Sequence, residues 1–229
     1  MTVPDVELRE RPEPPTSRPV LVWVPGPGWR AVSSAVVGGG LGPPGWWLNT
    51  TVDKEYFHPD PVAHVHEIAR GLGLCGHGVG MLTAADVTRR TAATDGGVHA
   101  VATVGLGLPV LAAVTAERAL AETARAPRAG TINVLVVVPV PLSDAALVNA
   151  VVTATEAKAQ ALAEAGVPGT GTSSDAVCIA CPSVVDGGPP PEPYGGPRSP
   201  WGARLARAVH AAIAEGTRDW LGDHPPVRG

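Results

Sequence analysis

Lysine is rare in this chain of 229 residues: of its 17 cations only Lys54 and Lys158 are lysines, so each is singled out. Residues 143–165 read as a long helix. Projected at about 100° per residue from Leu147, Leu147, Val148, Val151, Val152, Ala159 and Leu162 fall in one apolar arc. Asn149, Thr153, Glu156, Gln160 and Glu164 fall opposite, whereas Thr155 and Lys158 lie inside the apolar arc. An ammonium turned toward a core is costly unless it pairs or gives up its proton. Such a lysine is an ion-pair partner, or a base or nucleophile. The plainer alternative is a stem that snorkels past the edge of the arc.

The second constellation is GTGTSSD at 169–175. Its glycines let backbone amides converge near Gly171, Thr172 and Ser173 are candidate nucleophiles, and Asp175 closes the turn. The loop suits an oxyanion hole or a hydroxyl nucleophile; the alternative is an ordinary Ser/Thr/Gly turn with an Asx cap. Asn133 stands at the entry of an apolar strand (131–138), where it must hydrogen-bond, either to a substrate amide or within a turn. Thr83 and Asp86 end the segment MLTAAD (81–86) as candidate substrate contacts, with helix capping by Thr83 as the alternative.

Other patterns lack the context their chemistry needs. Gly40, Gly42 and Gly45, like Gly71, Gly73 and Gly76, match G-x-G-x-x-G. The first leads into a strand and the second follows a helix, where a dinucleotide site needs strand, turn and helix in that order. Cys178 and Cys181 form a C-x-x-C inside an apolar strand with no second pair, which reads as core rather than zinc. His58, His64 and His66 crowd one segment with Asp60; on a helix from Pro61, His64 and His66 diverge, so solvated or supporting histidines are favoured over a metal site. The formal net charge of −4 and the lack of a basic run argue against nucleic acid. No apolar stretch reaches about 18 residues, the N-terminal residues lack a signal-peptide core, and three cysteines do not suit a disulfide framework. The protein is expected to be cytoplasmic, with no membrane partner.

These residues need a scaffold. Residues 1–19 are charged and Pro-rich and read as a disordered tail, and 222–229 as a flexible one. Strands are expected at 20–24, 31–37, 46–52, 79–82, 98–104, 131–138 and 175–181, with a further short one at 87–91. Helices are expected at 61–72, 143–165 and from 199 or 200 to 221, with a short helix or ordered loop at 115–125. Strands and helices alternate without a regular βαβ period. The expected fold is a single α+β domain over 20–221, with mixed β-sheet layers covered by a few amphipathic helices. Alanine, valine and glycine dominate, so the layers must sit close.

The segments SSAVVGGGL (33–41), VGMLTAADV (79–87), AGTINVLV (129–136), ATEAKAQAL (154–162), GTGTSSDAV (169–177) and YGGPRSPWG (194–202) resemble, in this order, the adenosylcobinamide amidohydrolase family of corrinoid salvage. The likeness spans about residues 20–221. It implies hydrolysis of the amide between the aminopropanol arm and the corrin ring, giving adenosylcobyric acid and 1-aminopropan-2-ol. The cobalt belongs to the substrate, and no separate cofactor or metal is implied. The resemblance assigns no catalytic residue. The residues themselves suggest Lys158 and Asp175 for proton transfer and Thr172 or Ser173 as nucleophile or water aligner. Amides near Gly171, with Asn133, would serve the oxyanion, and Thr83, Asp86 and Thr155 the substrate. A corrinoid-binding protein without hydrolysis and a general amidase are the competing readings. Both constellations must share one hollow for the enzymatic reading to hold.

Overall fold

The computed structural model describes residues 4–13, 16–123 and 130–224. In chain order the strands are β1 (Glu7–Glu13), β2 (Thr16–Trp23), β3 (Trp29–Ser33), β4 (Gly40–Gly42), β5 (Trp46–Thr51), β6 (Gly78–Thr83), β7 (Thr91–Asp95), β8 (Val98–Val104), β9 (Ile132–Val137) and β10 (Ala176–Pro182). The helices are α1 (Pro61–Gly71), α2 (Ala116–Thr123), α3 (Asp144–Glu164) and α4 (Pro200–Asp223), and Val87–Arg89 makes a single 3-10 turn. The strands form two mixed sheets, ordered β1-β2-β5-β6 and β4-β3-β10-β9-β8-β7.

The sheets face each other. Trp23, Trp47, Val79 and Met81 of the first meet Leu135, Val137, Cys178 and Ala180 of the second. The outer face of the first sheet packs Val20, Val22 and Leu48 against Val65, Ile68 and Ala69 of α1. The outer face of the second packs Val134, Val136 and Ile179 against Leu147 and Leu162 of α3 and Val209 and Ile213 of α4. The architecture is thus four-layered, α-β-β-α, and α+β as expected. Strand β9 explains why: it is buried on both faces, and alternation sends Ile132, Val134 and Val136 to the helices and Asn133, Leu135 and Val137 toward the other sheet. Burying each such Val or Leu contributes roughly 1.5–3 kcal/mol.

Several boundaries differ from the sequence reading. Residues 7–13 are not a disordered tail but an edge strand, paired antiparallel with β2 from Glu7 opposite Val22 to Glu13 opposite Thr16. An edge strand tolerates charge on its exposed side. Its one buried cation, Arg11, donates from Nε to Thr50 Oγ1 at 2.8 Å and from Nη2 to Thr51 O at 3.1 Å, and pairs with Glu13. Strand β3 stops at Ser33, after which the chain leaves the second sheet and Val37 bridges to Gly80 of the first. The expected strand at 87–91 is the 3-10 turn, and β7 follows it. Helix α4 runs two residues beyond 221; residues 225–229 lie outside the described residues, as do 124 and 125 of the segment expected at 115–125.

Helix α3 shows where a single-helix projection fails. Its buried side carries Ala146, Leu147, Ala150, Thr153, Ala154, Ala157, Lys158, Ala161 and Leu162. Val148 and Val152 are about half exposed instead, at 54% and 48%. The helix touches both α4 and the second sheet, and the close approach selects alanines over bulky valines. Thr153 goes inward because its hydroxyl donates to Gly195 O at 2.8 Å. Among the described residues no helix is long and apolar enough to cross a membrane.

Candidate active site

Strands β9 and β10 run parallel, with Ala176 opposite Asn133. Their N-terminal ends therefore lie side by side, and Asp175 enters β10 next to Ile132. Asp175 Oδ1 accepts from Ile132 N at 2.9 Å and from Thr172 Oγ1 at 2.5 Å. Its Oδ2 accepts from Thr172 N at 3.0 Å and forms an ion pair with Lys158 Nζ. All four lone-pair positions of the carboxylate are thus occupied. The side chains of Lys158 and Asp175 are only 10% and 9% exposed, so the inward lysine is ion-paired rather than snorkelling.

Local sequence sets this geometry. Ser143 caps α3 by accepting from Ala146 N at 3.1 Å, and Lys158 follows roughly four turns later. The helix ends at Gly166, whose φ of +73° suits glycine. The chain then returns through 169–175, tied to the segment before α2: Val110 N donates to Gly171 O at 2.8 Å and Thr170 N to Val110 O at 2.9 Å. At Gly171 a Cβ would strike both Asp175 Oδ2 and Lys158 Nζ. Only glycine lets the loop cross over the ion pair.

The cluster opens into a cavity of about 890 Å³. Its walls come from the ends of β5 and β6 (52–56, 82–84), the segment 108–119, the entry to β9, the second half of α3 and the loop 170–174. Both lysines of the chain line it. Gly171, Thr172, Ser173, Lys158, Thr155 and Thr83 share this wall. The Thr155 hydroxyl bonds back to Val151 O at 2.9 Å, and Thr83 Oγ1 accepts from Ala85 N at 3.0 Å.

Two sequence-derived candidates stand elsewhere. Asp86 lines neither of the two cavities at this end; it caps the 3-10 turn, accepting from Thr88 N at 2.9 Å and Thr88 Oγ1 at 2.7 Å. Asn133 lines a smaller adjoining cavity of about 330 Å³, together with Asp175. Its Nδ2 donates to Asn49 Oδ1 at 2.9 Å and Leu82 O at 3.1 Å. Both amide hydrogens are spent, so it cannot also donate to an oxyanion.

Other features emerge only in three dimensions. Thr131 Oγ1 and Ser174 Oγ are 2.8 Å apart beside the ion pair. Leu108, Val110, Leu111 and Val114 form an apolar wall; the run LGLPVLAAV hinted at it by its hydropathy but not by any period. At the rim, Tyr56 OH meets His64 Nδ1 at 2.8 Å, and the rings of His58 and His64 stack at 4.9 Å. Burial, then the charge of Arg11, lowers the His64 pKa, and burial raises that of Tyr56. His66 is exposed. Among the described residues no group of three His, Cys, Asp or Glu side chains is placed to hold a metal ion. Cys178 and Cys181 are buried in β10, and burial pushes the Cys178 thiol up to about 12.

Comparison with known proteins agrees with the family resemblance read in the sequence. A protein from Methanosarcina mazei named adenosylcobinamide amidohydrolase is 32% identical over 193 residues, covering 82% of this chain and 90% of that protein. One of the same name from Halobacterium salinarum is 39% identical over 119 residues, covering 52% of this chain and 49% of that one. A crystal structure of a Pyrococcus horikoshii OT3 protein aligns with 93% of this chain and 82% of its own at a TM-score of 0.47 and 14% identity, below the level at which a shared fold follows. The family model described as adenosylcobinamide amidohydrolase matches residues 5–225, from the edge strand to beyond the end of α4, and the chain belongs to that family.

Proposed function

We propose that this protein hydrolyses the amide joining the aminopropanol arm to the corrin ring of adenosylcobinamide, giving adenosylcobyric acid and 1-aminopropan-2-ol for corrinoid salvage. One observation carries the reading: the part-buried Thr172–Asp175–Lys158 cluster opens onto a cavity of about 890 Å³, large for a small-molecule site, which spans about 300–1,000 Å³. A purely corrinoid-binding protein needs the hollow but not a nucleophile hydrogen-bonded to an oriented base. The cobalt enters as part of the substrate, and the chemistry assigned here uses only side chains. With no membrane-spanning helix among the described residues and three free cysteines, we assign the reaction to the cytoplasm.

In the proposed mechanism Thr172 Oγ1 attacks the amide carbon as its proton passes to Asp175 Oδ1. Lys158 Nζ, which has further N–H groups beyond the one held by Asp175, donates to the oxyanion. When the tetrahedral intermediate collapses, the C–N bond breaks and the nitrogen takes a proton from Lys158. Lys158 recovers one from Asp175 across the ion pair, and the amine departs. Water then hydrolyses the threonyl ester, returning the Thr172 hydroxyl and releasing the new carboxylate. Ser173 and the amides near Gly171 border the same space, and Thr83 and Thr155 form substrate wall.

The test is incubation of purified protein with adenosylcobinamide and mass spectrometry for both products. We expect stoichiometric adenosylcobyric acid and amine, and for Lys158→Ala a loss of about 10²–10³ in kcat, the scale of removing an oxyanion donor. A corrinoid that binds without yielding either product, or normal turnover by Lys158→Ala, would overturn the proposal.

A further inference from the structure

The two cavities adjoin beside the reactive cluster. They share Leu82 and Ser174 in their walls, with Lys158 lining the larger and Asp175 the smaller. A bulky ring and a short arm joined by one amide need this arrangement: two unequal hollows with the reacting groups at their junction. We propose that the smaller cavity is the subsite for the departing amine arm, a short hydroxyalkyl amine, and that Asn133 Oδ1 accepts a hydrogen bond from it. This inference rests on the amidohydrolase reading above.

Three observations carry it. The first is size: at about 330 Å³ the cavity is too small for a tetrapyrrole but ample for a chain of a few atoms. The second is its lining. Ala35, Val36, Met81 and Leu82 offer apolar contact for the carbon chain, and Ser174, Asp175 and Asn133 supply polar groups. That mixture of apolar wall and a few placed polar groups marks small-molecule sites.

The third is an unmatched acceptor. Asn133 is 1% exposed, and its Oδ1 has no hydrogen-bond partner among the described residues. The amide cannot profit from turning over, because Asn49 Oδ1 and Leu82 O both require its Nδ2 donor. Asn49 is held in turn by its own Nδ2 donating to Thr103 Oγ1 at 3.0 Å. A buried oxygen so fixed is unfavourable until a donor reaches it. The arm carries such a donor in its hydroxyl. The segment 33–41, with no part in the reactive cluster, supplies Ala35 and Val36, and Ser34 Oγ ties it to Val177 N at 3.0 Å.

The test compares three substrates that share the corrin ring: adenosylcobinamide, an analogue with an n-propylamide arm, and one with a methylamide arm. Wild-type protein should prefer the hydroxyl-bearing arm over n-propyl by about tenfold or more in kcat/KM, the scale of one buried hydrogen bond. Asn133→Ala should bring that ratio to about one. Because Asn133→Ala also removes the bonds to Asn49 and Leu82, a second variant leaves that network intact. Val36 stands at the rim, 59% exposed, and Val36→Trp should fill the smaller cavity. It should raise KM for the two three-carbon arms about tenfold more than for the methylamide. A wild-type ratio retained by Asn133→Ala, or a Val36→Trp variant blind to arm length, overturns the subsite alone. Wild-type protein that hydrolyses none of the three overturns the amidohydrolase reading and the subsite with it.

Discussion

Replacing Asp175 with Asn tests the reactive cluster without changing its shape. The carboxylate accepts from Ile132 N, Thr172 N, Thr172 Oγ1 and Lys158 Nζ. An amide keeps one oxygen, so whichever way it lies, its NH₂ faces two of these donors. If the NH₂ replaces Oδ2, it meets Thr172 N and the ammonium of Lys158. Removing one partner of a buried ion pair costs about 3–5 kcal/mol, a large part of the roughly 5–15 kcal/mol that stabilises an ordinary domain. Lys158→Met is milder: Asp175 keeps three hydrogen bonds and the buried ammonium disappears, for a loss of about 1–3 kcal/mol. The double variant removes both charges, so no ammonium is left stranded. It should therefore be more stable than the sum of the single changes predicts, by about 2 kcal/mol or more. Urea unfolding of the four proteins, followed by circular dichroism with m-values compared, measures this coupling. Single effects that add to the double within about 0.5 kcal/mol would mean that the two groups do not act as a buried pair, and the site assembled around them would fail. Turnover separates stability from chemistry: the double variant should recover folding but not activity.

Gly171→Ala places a methyl group against Lys158 Nζ and Asp175 Oδ2. It should lower kcat for adenosylcobinamide by at least about 10²-fold, the scale of misplacing reacting groups by roughly 1 Å, while the urea midpoint moves much less; near-normal kcat would count against the crossing described. At the rim, burial holds the His64 pKa below its ordinary value of 6.5. The unfolded chain then takes up the proton first, so the His64 contribution to stability is complete above about pH 6.5 and is lost as the pH falls through the folded value. Thermal unfolding between pH 7.5 and 5 should show this slope and His64→Gln should reduce it, with the remainder due in part to His99, which burial also lowers; an unchanged slope in the variant would contradict it.

How much of this was legible beforehand differs by element. The strand at 98–104 and the capped helix from 144 follow from local pattern, because alternation and an N-cap act over a few residues. The edge strand β1 was not, because its pairing with β2 contributes what its own composition lacks. The buried stripe of α3 departs from its hydropathy for a related reason. Hydropathy places Val148 and Val152 inside, but the close approach of α4 and the sheet favours Ala150, Ala154 and Ala157 there. Lys158 was found by its scarcity and its position in the helix, and Thr172 and Asp175 by the density of hydroxyls and glycines in one short loop.

The sequence by itself determined which groups were available for chemistry, two lysines and one hydroxyl-rich turn ending in Asp175, and that strands and helices would carry them in a layered α+β domain. Only the tertiary structure decided what those groups do to one another. The parallel pairing of β9 and β10 brings Ile132 N to Asp175, and the packing of α3 brings Lys158 to the same carboxylate. The stacking of two sheets turns Asn133 away from the larger cavity into a smaller one. Contacts between residues so distant along the chain depend on how whole layers pack, and local periodicity carries no information about that.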